Sequence, residues 1–190
     1  MRQPGYSEIR RRVRRLIFTE HMIGPDDRVA VGLSGGKDST FLLHILRELQ
    51  DHFRWRFDLA AYRVVDPGSP CDGLSGLDRC RAWCHAIDVP LKIIAPRPDR
   101  DDSGNASPCF RCAWRRKEIL FRTLVDDGIH ILALGHTAFD LAVTAVMNMV
   151  YHGNLETMPP TMQFFDGKIR VIRPLSPVTE AQVIRQHRRL

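Results

Sequence analysis

Between Val31 and Leu46 the chain reads VGLSGGKDSTFLLHIL, a glycine pair, a lysine, an aspartate and hydroxyl side chains set between two apolar runs. A strand that ends in a glycine-containing loop and feeds a helix is an anion site, because free backbone N–H groups and the helix dipole converge on one spot. Gly35 and Gly36 let the backbone approach a phosphate closely, and Ser34, Ser39 and Thr40 add hydroxyl donors. The ammonium of Lys37 can neutralise developing phosphate charge, and the Asp38 carboxylate suits the placing of Mg2+. The spacing of a Walker A loop is absent, and so is the GxGxxG of a dinucleotide site. A second group lies in PCFRCAWRRKEIL, where Cys109 and Cys112 stand at a predicted helix start beside Arg111, Arg115, Arg116 and Lys117. The dipole and those cations favour the thiolate. Two thiolates at that spacing chelate one metal or act as a redox pair, and two partly buried thiols without a chemical role is the third reading.

Alternating strands and helices must position these groups. Ile9, Val13, Leu16 and Ile17 have the spacing of one buried stripe, which predicts a basic helix over 7–22 with its arginines outward, ended by Gly24, Pro25, Asp26 and Asp27. Strands are predicted at 28–33, 57–65, 91–95 and 129–134, and helices at 39–50, 74–87, 109–127 and 140–151. DPGSPCDG and RPDRDDSGNASP read as turn-rich and polar loops. FFDGKIRVIRPL reads as a hairpin turning at Asp166 and Gly167, with a further helix after Pro177. This order predicts an α/β fold, a doubly wound parallel sheet with helices on both faces.

Composition is that of an ordinary globular protein, 44% hydrophobic and 26% charged. Residues 1–20 carry six arginines against two glutamates and residues 170–190 five against one, so the basic excess of a chain of net charge +6 lies at its ends. That clustering fits a polyanion such as nucleic acid, or equally a solvated arginine-rich face. No apolar run approaches a membrane span and the first residues lack a signal core, so a cytoplasmic protein with no membrane partner is expected. In that compartment five cysteines suggest thiols, metal ligands or redox groups before disulfides.

The run Ser34, Gly35, Gly36, Lys37, Asp38, Ser39 resembles the SGGxDS pyrophosphate loop of the PP-loop ATP pyrophosphatase superfamily. The resemblance implies that these six residues bind ATP, holding the phosphates that leave as pyrophosphate while the substrate is adenylated. With CxxC before RRKEILFR, and then LALGHTAFD, NMVYHG, MPP and VIRPL, the chain from about Ile9 to its end resembles the TtcA-type tRNA 2-thiocytidine synthetases, relatives of the 2-thiouridine and lysidine synthetases. That family resemblance implies one PP-loop domain over 1–190, ATP and Mg2+ as cofactors, and tRNA as partner. It implies an ATP-dependent tRNA sulfurtransferase, which adenylates a pyrimidine carbonyl in the anticodon loop, cytidine first, and exchanges its oxygen for sulfur. An iron-sulfur cluster of the 4Fe-4S type would be held by Cys109, Cys112 and one further cysteine. A sulfur donor such as a cysteine desulfurase and a homodimer belong to the same expectation. Carried onto this chain, Lys37, Asp38, Cys109, Cys112 and Asp140 are the catalytic set, and Gly135 and His136 join the ATP site. Arg11, Arg12, Arg15, Arg115 and Arg116, with the arginines near the C-terminal end, are the grips on nucleic-acid phosphates. The chemistry is coherent, since AMP is a far better leaving group than a carbonyl oxygen, and a loop base can be splayed into a pocket.

Two departures stand out. The family's GHHxDD segment is GHTAFD here, so Thr137 and Phe139 replace a histidine and an aspartate, while Asp140 remains. His136 has a plainer reading as a buried histidine bonded to backbone. No cysteine follows Cys112, which leaves a missing C-terminal segment, another ligand or no cluster as alternatives. Cys80 and Cys84 read as core thiols, and Cys71 could approach the nucleotide edge of the sheet. Met147 and Met149 are expected to pack and not to bind metal, and Trp114 reads first as an ordinary packing residue, with base stacking as the alternative because it lies beside a proposed site. Two other functions fit the loop: AMP-forming chemistry on another carbonyl, as in lysidine or amide synthesis, and a non-catalytic nucleotide- or metal-binding relative.

Overall fold

The computed structural model describes residues 5–53, 56–65, 76–95 and 107–189. Cys71, Trp55, Leu74 and most of both predicted loops lie outside the described residues. In chain order the elements are α1 (Tyr6–Thr19), β1 (Asp27–Gly32), α2 (Lys37–Phe53), β2 (Phe57–Val64), α3 (Leu77–Ala86) and β3 (Leu91–Ile94). There follow α4 (Pro108–Asp126), β4 (Ile131–Ala133), α5 (Ala138–His152), β5 (Thr161–Phe164), β6 (Ile169–Ile172) and α6 (Glu180–His187).

The strands form one sheet in the order β3-β2-β1-β4-β6-β5. β1 pairs in parallel with β2, Val31 opposite Ala61, and with β4, Val31 opposite Ala133. β5 is the exception to the parallel sheet predicted: it runs antiparallel to β6, Phe164 opposite Ile169, as the hairpin reading required. β1 is apolar without alternation because both of its faces are covered. Val29 and Val31 pack under α1, α2 and α6 through Ile9, Val13, Phe41, Leu46 and Val183. Ala30 and Leu132 pack on the other face under Phe121 and Leu124 of α4.

The helices after β1, β2, β3, β4 and β6 all begin at the carboxyl edge of the parallel strands, where such sheets collect their ligands. α1 stops at Thr19, short of the predicted Met22. His21 takes a left-handed φ of 46°, and Met22 donates from its backbone N–H to the Ile17 carbonyl at 2.9 Å. This turn returns Met22 to the core, so its burial continued the helical stripe without helical backbone.

α5 corrects a second expectation. It buries no residue, and Met147 and Met149 are 53% and 49% exposed instead of packed. Its apolar spacing is that of a buried helix, yet its apolar residues are left at least partly exposed.

Candidate functional site

The loop after β1 is knitted by its own hydroxyls. Ser39 Oγ and Thr40 Oγ1 each donate to the Gly36 carbonyl at 3.0 Å, Ser34 Oγ lies 3.0 Å from Ser39 Oγ, and the Gly36 N–H donates to Ser34 Oγ at 3.2 Å. The hydroxyls expected to reach outward as donors therefore first fix the loop's shape. Lys37 and Asp38, read as loop residues with the helix starting at Ser39, belong to the first turn of α2. Their side chains thus sit where the free N–H groups of the helix start point.

Gly35 has a φ of +85°, and a Cβ there would stand 2.5 Å from Arg63 Nη1 and 3.2 Å from Cys80 Sγ. Arg63, at the end of β2 and 3% exposed, donates from Nη1 to the Ser34 carbonyl at 2.6 Å and to Cys80 Sγ at 3.3 Å. A guanidinium beneath the loop adds positive charge to an anion site. Sequence reading missed Arg63, although a lone arginine inside the apolar run LAAYRVV was a usable signal.

Lys37 Nζ lies 3.0 Å from Asp38 Oδ2 and 2.9 Å from Glu180 Oε1 of α6. The hydrogen bonds to Glu180 and then to Asp38 hold the ammonium above the usual lysine range. Glu180 also escaped the sequence reading. The other oxygen of Asp38, Oδ1, is buried and accepts no hydrogen bond among the described residues. An anionic oxygen so placed fits a cation such as Mg2+.

The segment from β4 to α5 closes over this turn. A Cβ on Gly135 would stand 2.9 Å from the Asp38 carbonyl carbon and 3.0 Å from the Ser39 nitrogen, so the two backbones abut only because Gly135 has no side chain. Gly135→Ala must push that backbone away and is expected to cost about 1–3 kcal/mol and to weaken ATP binding. Chemical denaturation and calorimetric titration with ATP check both effects; unchanged ATP affinity would show that the contact does not shape the site.

His136 is half-buried, and its Nδ1 has no hydrogen-bond partner among the described residues, unlike the backbone-bonded histidine of the plainer reading. Burial and then the charge of Arg173 push its pKa down, against a smaller upward effect of Asp140. Asp140 Oδ2 accepts from the Thr137 N–H at 2.7 Å, its half of the capping box that starts α5, and also from the Thr137 hydroxyl at 2.8 Å. Burial raises the Asp140 carboxyl, but these donors and His136 outweigh it and hold the net value below the usual range. Thr137, which replaces a histidine of the family pattern, thus ties down the carboxylate that remains.

α4 starts from Ser107, whose hydroxyl accepts from the Phe110 N–H at 3.3 Å, with Pro108 next. Cys109 and Cys112 follow within the first turns, and the side chain of Cys109 lies outside the described residues. Cys112 is half-buried, and Arg116 donates to its Sγ from Nε at 3.3 Å and from Nη2 at 3.0 Å. Trp114, 60% exposed, stacks on exposed Phe110 with ring centroids 6.5 Å apart. Cys80 and Cys84 are the buried core thiols expected, and burial, then Cys80, pushes Cys84 up to about 11. Among the described residues no group of three or more histidines, cysteines, aspartates or glutamates is arranged to hold a metal. The thiols of Cys109 and Cys112 are donors of the type iron-sulfur clusters take, yet they amount to two ligands, fewer than a cluster needs.

The arginine clusters divide. Arg11 and Arg12 both pair with Glu8, at 2.6 and 3.1 Å, and Arg15 is exposed. α1 is anchored to α2 by Tyr6 and Arg10 on Glu48, three turns beyond Lys37. Arg115 is half-buried on α4. Arg170 and Arg173 are engaged by the chain itself: Arg170 donates to the His21 carbonyl at 3.2 Å, and buried Arg173 donates to the Pro159 carbonyl at 2.6 Å. A cleft of about 180 Å³ opens beside the loop between Gly35, Thr40, Cys80, Trp83 and His187.

A family model described as a PP-loop domain matches residues 6–189. The chain is 38% identical over 172 residues to a tRNA-cytidine(32) 2-sulfurtransferase of Neisseria meningitidis, covering 87% of this chain and 52% of that protein. It is 37% identical over 180 residues to the enzyme of that name from Nitrosomonas europaea, covering 90% of this chain and 55% of the relative. The chain thus spans about half the length of the curated relatives it matches. Among solved structures, the U34-tRNA thiolase NcsA of Methanococcus maripaludis with its [4Fe-4S] cluster superposes with a TM-score of 0.78 at 25% identity, over 97% of this chain and 63% of that one.

Proposed function

Because this chain belongs to the PP-loop domain family, we propose that its loop binds ATP for the thiolation of tRNA, at a cytidine carbonyl of the anticodon loop. The observation that carries the reading is the SGGKDS turn at the head of α2, with the Asp38 Oδ1 buried and unbonded and Gly135 seated against it. In the first step the carbonyl oxygen attacks the α-phosphorus of ATP and pyrophosphate leaves. In the second, sulfide adds at the same carbon and AMP departs with the original oxygen. The backbone of Ser34, Gly35, Gly36 and Ser39 cradles the leaving phosphates, Lys37 neutralises their charge, and Asp38 would hold Mg2+. Gly135 and His136 line the nucleotide side. Asp140, fixed by Thr137, orients the β4–α5 turn over the phosphates.

Cys109 and Cys112 would supply two ligands of an iron-sulfur cluster, a group that binds and delivers sulfur. Arg11, Arg12, Arg15, Arg115 and Arg116 contact tRNA phosphates, a cysteine desulfurase supplies the sulfur, and a cytoplasmic homodimer is the working form. Support comes from the relatives named as tRNA-cytidine(32) 2-sulfurtransferases.

Nucleoside mass spectrometry on tRNA from cells with and without the gene tests this directly. Loss of 2-thiocytidine is the expected result. An unchanged thionucleoside profile in cells lacking a second copy would overturn the reading in favour of another AMP-forming synthetase or a non-catalytic relative.

A further inference from the structure

The ammonium of Lys37 is already engaged before any anion arrives, with Asp38 Oδ2 at 3.0 Å and Glu180 Oε1 at 2.9 Å. The two carboxylates differ in kind. Asp38 stands in the first turn of α2 beside Lys37 and has a second, unbonded oxygen suited to a cation, whereas Glu180 comes from the far end of the chain and brings only negative charge.

Its backbone is held firmly. Thr179 and Gln182 cap α6 reciprocally, the Thr179 N–H donating to Gln182 Oε1 at 3.0 Å. Val183 packs in the same core as α2, and the Val178 carbonyl accepts from the Ala138 N–H at 2.9 Å, joining the start of α6 to the start of α5. The Glu180 side chain itself is 42% exposed and Lys37 is 35% exposed, so the pair can part without unfolding anything.

We propose that Glu180 is a positioning residue acting through Lys37, a displaceable counter-ion that occupies the ammonium until a polyphosphate replaces it. This rests on the reading of the loop as a polyphosphate site. Pyrophosphate carries more charge and more acceptor oxygens than orthophosphate or a monoanion, so it competes best with the single carboxylate for the ammonium. The carboxylate therefore weakens polyphosphate binding in absolute terms, and it keeps the loop from filling with weaker anions. Glu180→Gln preserves shape and helix start while removing the charge, and its effect should vanish once Lys37 is gone.

Calorimetric titration with inorganic pyrophosphate, on wild type, Glu180→Gln, Lys37→Gln and the double variant, tests the idea. Glu180→Gln is expected to bind pyrophosphate about 3- to 10-fold more tightly. In the Lys37→Gln background the same change should shift affinity by less than about twofold. Glu180→Asp, one methylene shorter and a good first-turn residue, should shift affinity in the same direction and takes over the test if the glutamine variant does not fold. Equal or weaker binding in Glu180→Gln overturns the proposal, and so does an equal gain without Lys37, which would mean a general field effect. A wild-type protein that binds neither pyrophosphate nor ATP would overturn the polyphosphate reading and this inference with it, an outcome distinct from the others.

Discussion

tRNA-dependent release of AMP from ATP is expected to fall by about 10²- to 10³-fold in Asp38→Asn, the scale on which removing one preorganised electrostatic group slows an enzyme. The Asp38 Oδ1 is buried and accepts no hydrogen bond among the described residues, a costly arrangement for an anion that nothing neutralises. Asparagine has the same shape but no formal charge to hold a cation against the departing phosphates. The variant should therefore be as stable as the parent or slightly more so, because a buried anionic oxygen has been removed. That pairing of unchanged or higher melting temperature with lost turnover separates a chemical role from a structural one. Lys37→Ala should lower AMP release by a similar factor for a different reason, since it leaves Asp38 and Glu180 facing the phosphates with no cation between them. Quantifying AMP by chromatography, beside a thermal melt of each variant, checks both. Full AMP release by Asp38→Asn would remove Asp38 from the chemistry.

Much of this site was legible because its signal is local. An apolar run, a glycine pair and a second apolar run specify strand, loop and helix from neighbouring residues alone, and the alternation along the chain predicts the order of elements. What escaped depends on contacts between distant segments. Arg63 under Ser34, Glu180 on Lys37 and Gly135 against Asp38 join pieces of chain that only the β2–β1–β4 neighbourhood and the docking of α6 bring together. Arginine counting failed for the same reason: Arg170 and Arg173 look like free cations in sequence, yet they are spent on the carbonyls of His21 and Pro159. Helical spacing likewise marks a face as apolar without saying whether anything covers it. Met147 and Met149, expected to pack, are about half exposed.

The proposed chemistry has two halves, and Cys112→Ser is expected to separate them. The adenylating groups stand on α2 and the β4–α5 turn, whereas Cys112 stands on α4, which Ser107 and Pro108 start at the same edge of the sheet. Its sulfur receives two donors from the Arg116 guanidinium, at 3.3 and 3.0 Å. A hydroxyl can accept the same donors, so the fold around α4 should persist. It cannot replace a thiolate towards iron, because the hydroxyl is a hard oxygen that stays protonated where a thiol ionises. If the cluster proposed above is held here, the variant is expected to take up much less iron and labile sulfide than the parent in the same anaerobic reconstitution and to show much weaker visible charge-transfer absorption. Thionucleoside formation should drop below detection, while tRNA-dependent AMP release stays within about threefold, since no group proposed for that step has changed. Iron analysis, absorption spectra and the two product assays read these outcomes independently. Undiminished thiolation by an iron-free Cys112→Ser protein would eliminate the cluster from the mechanism, and simultaneous loss of AMP release would mean that α4 helps to build the nucleotide site itself.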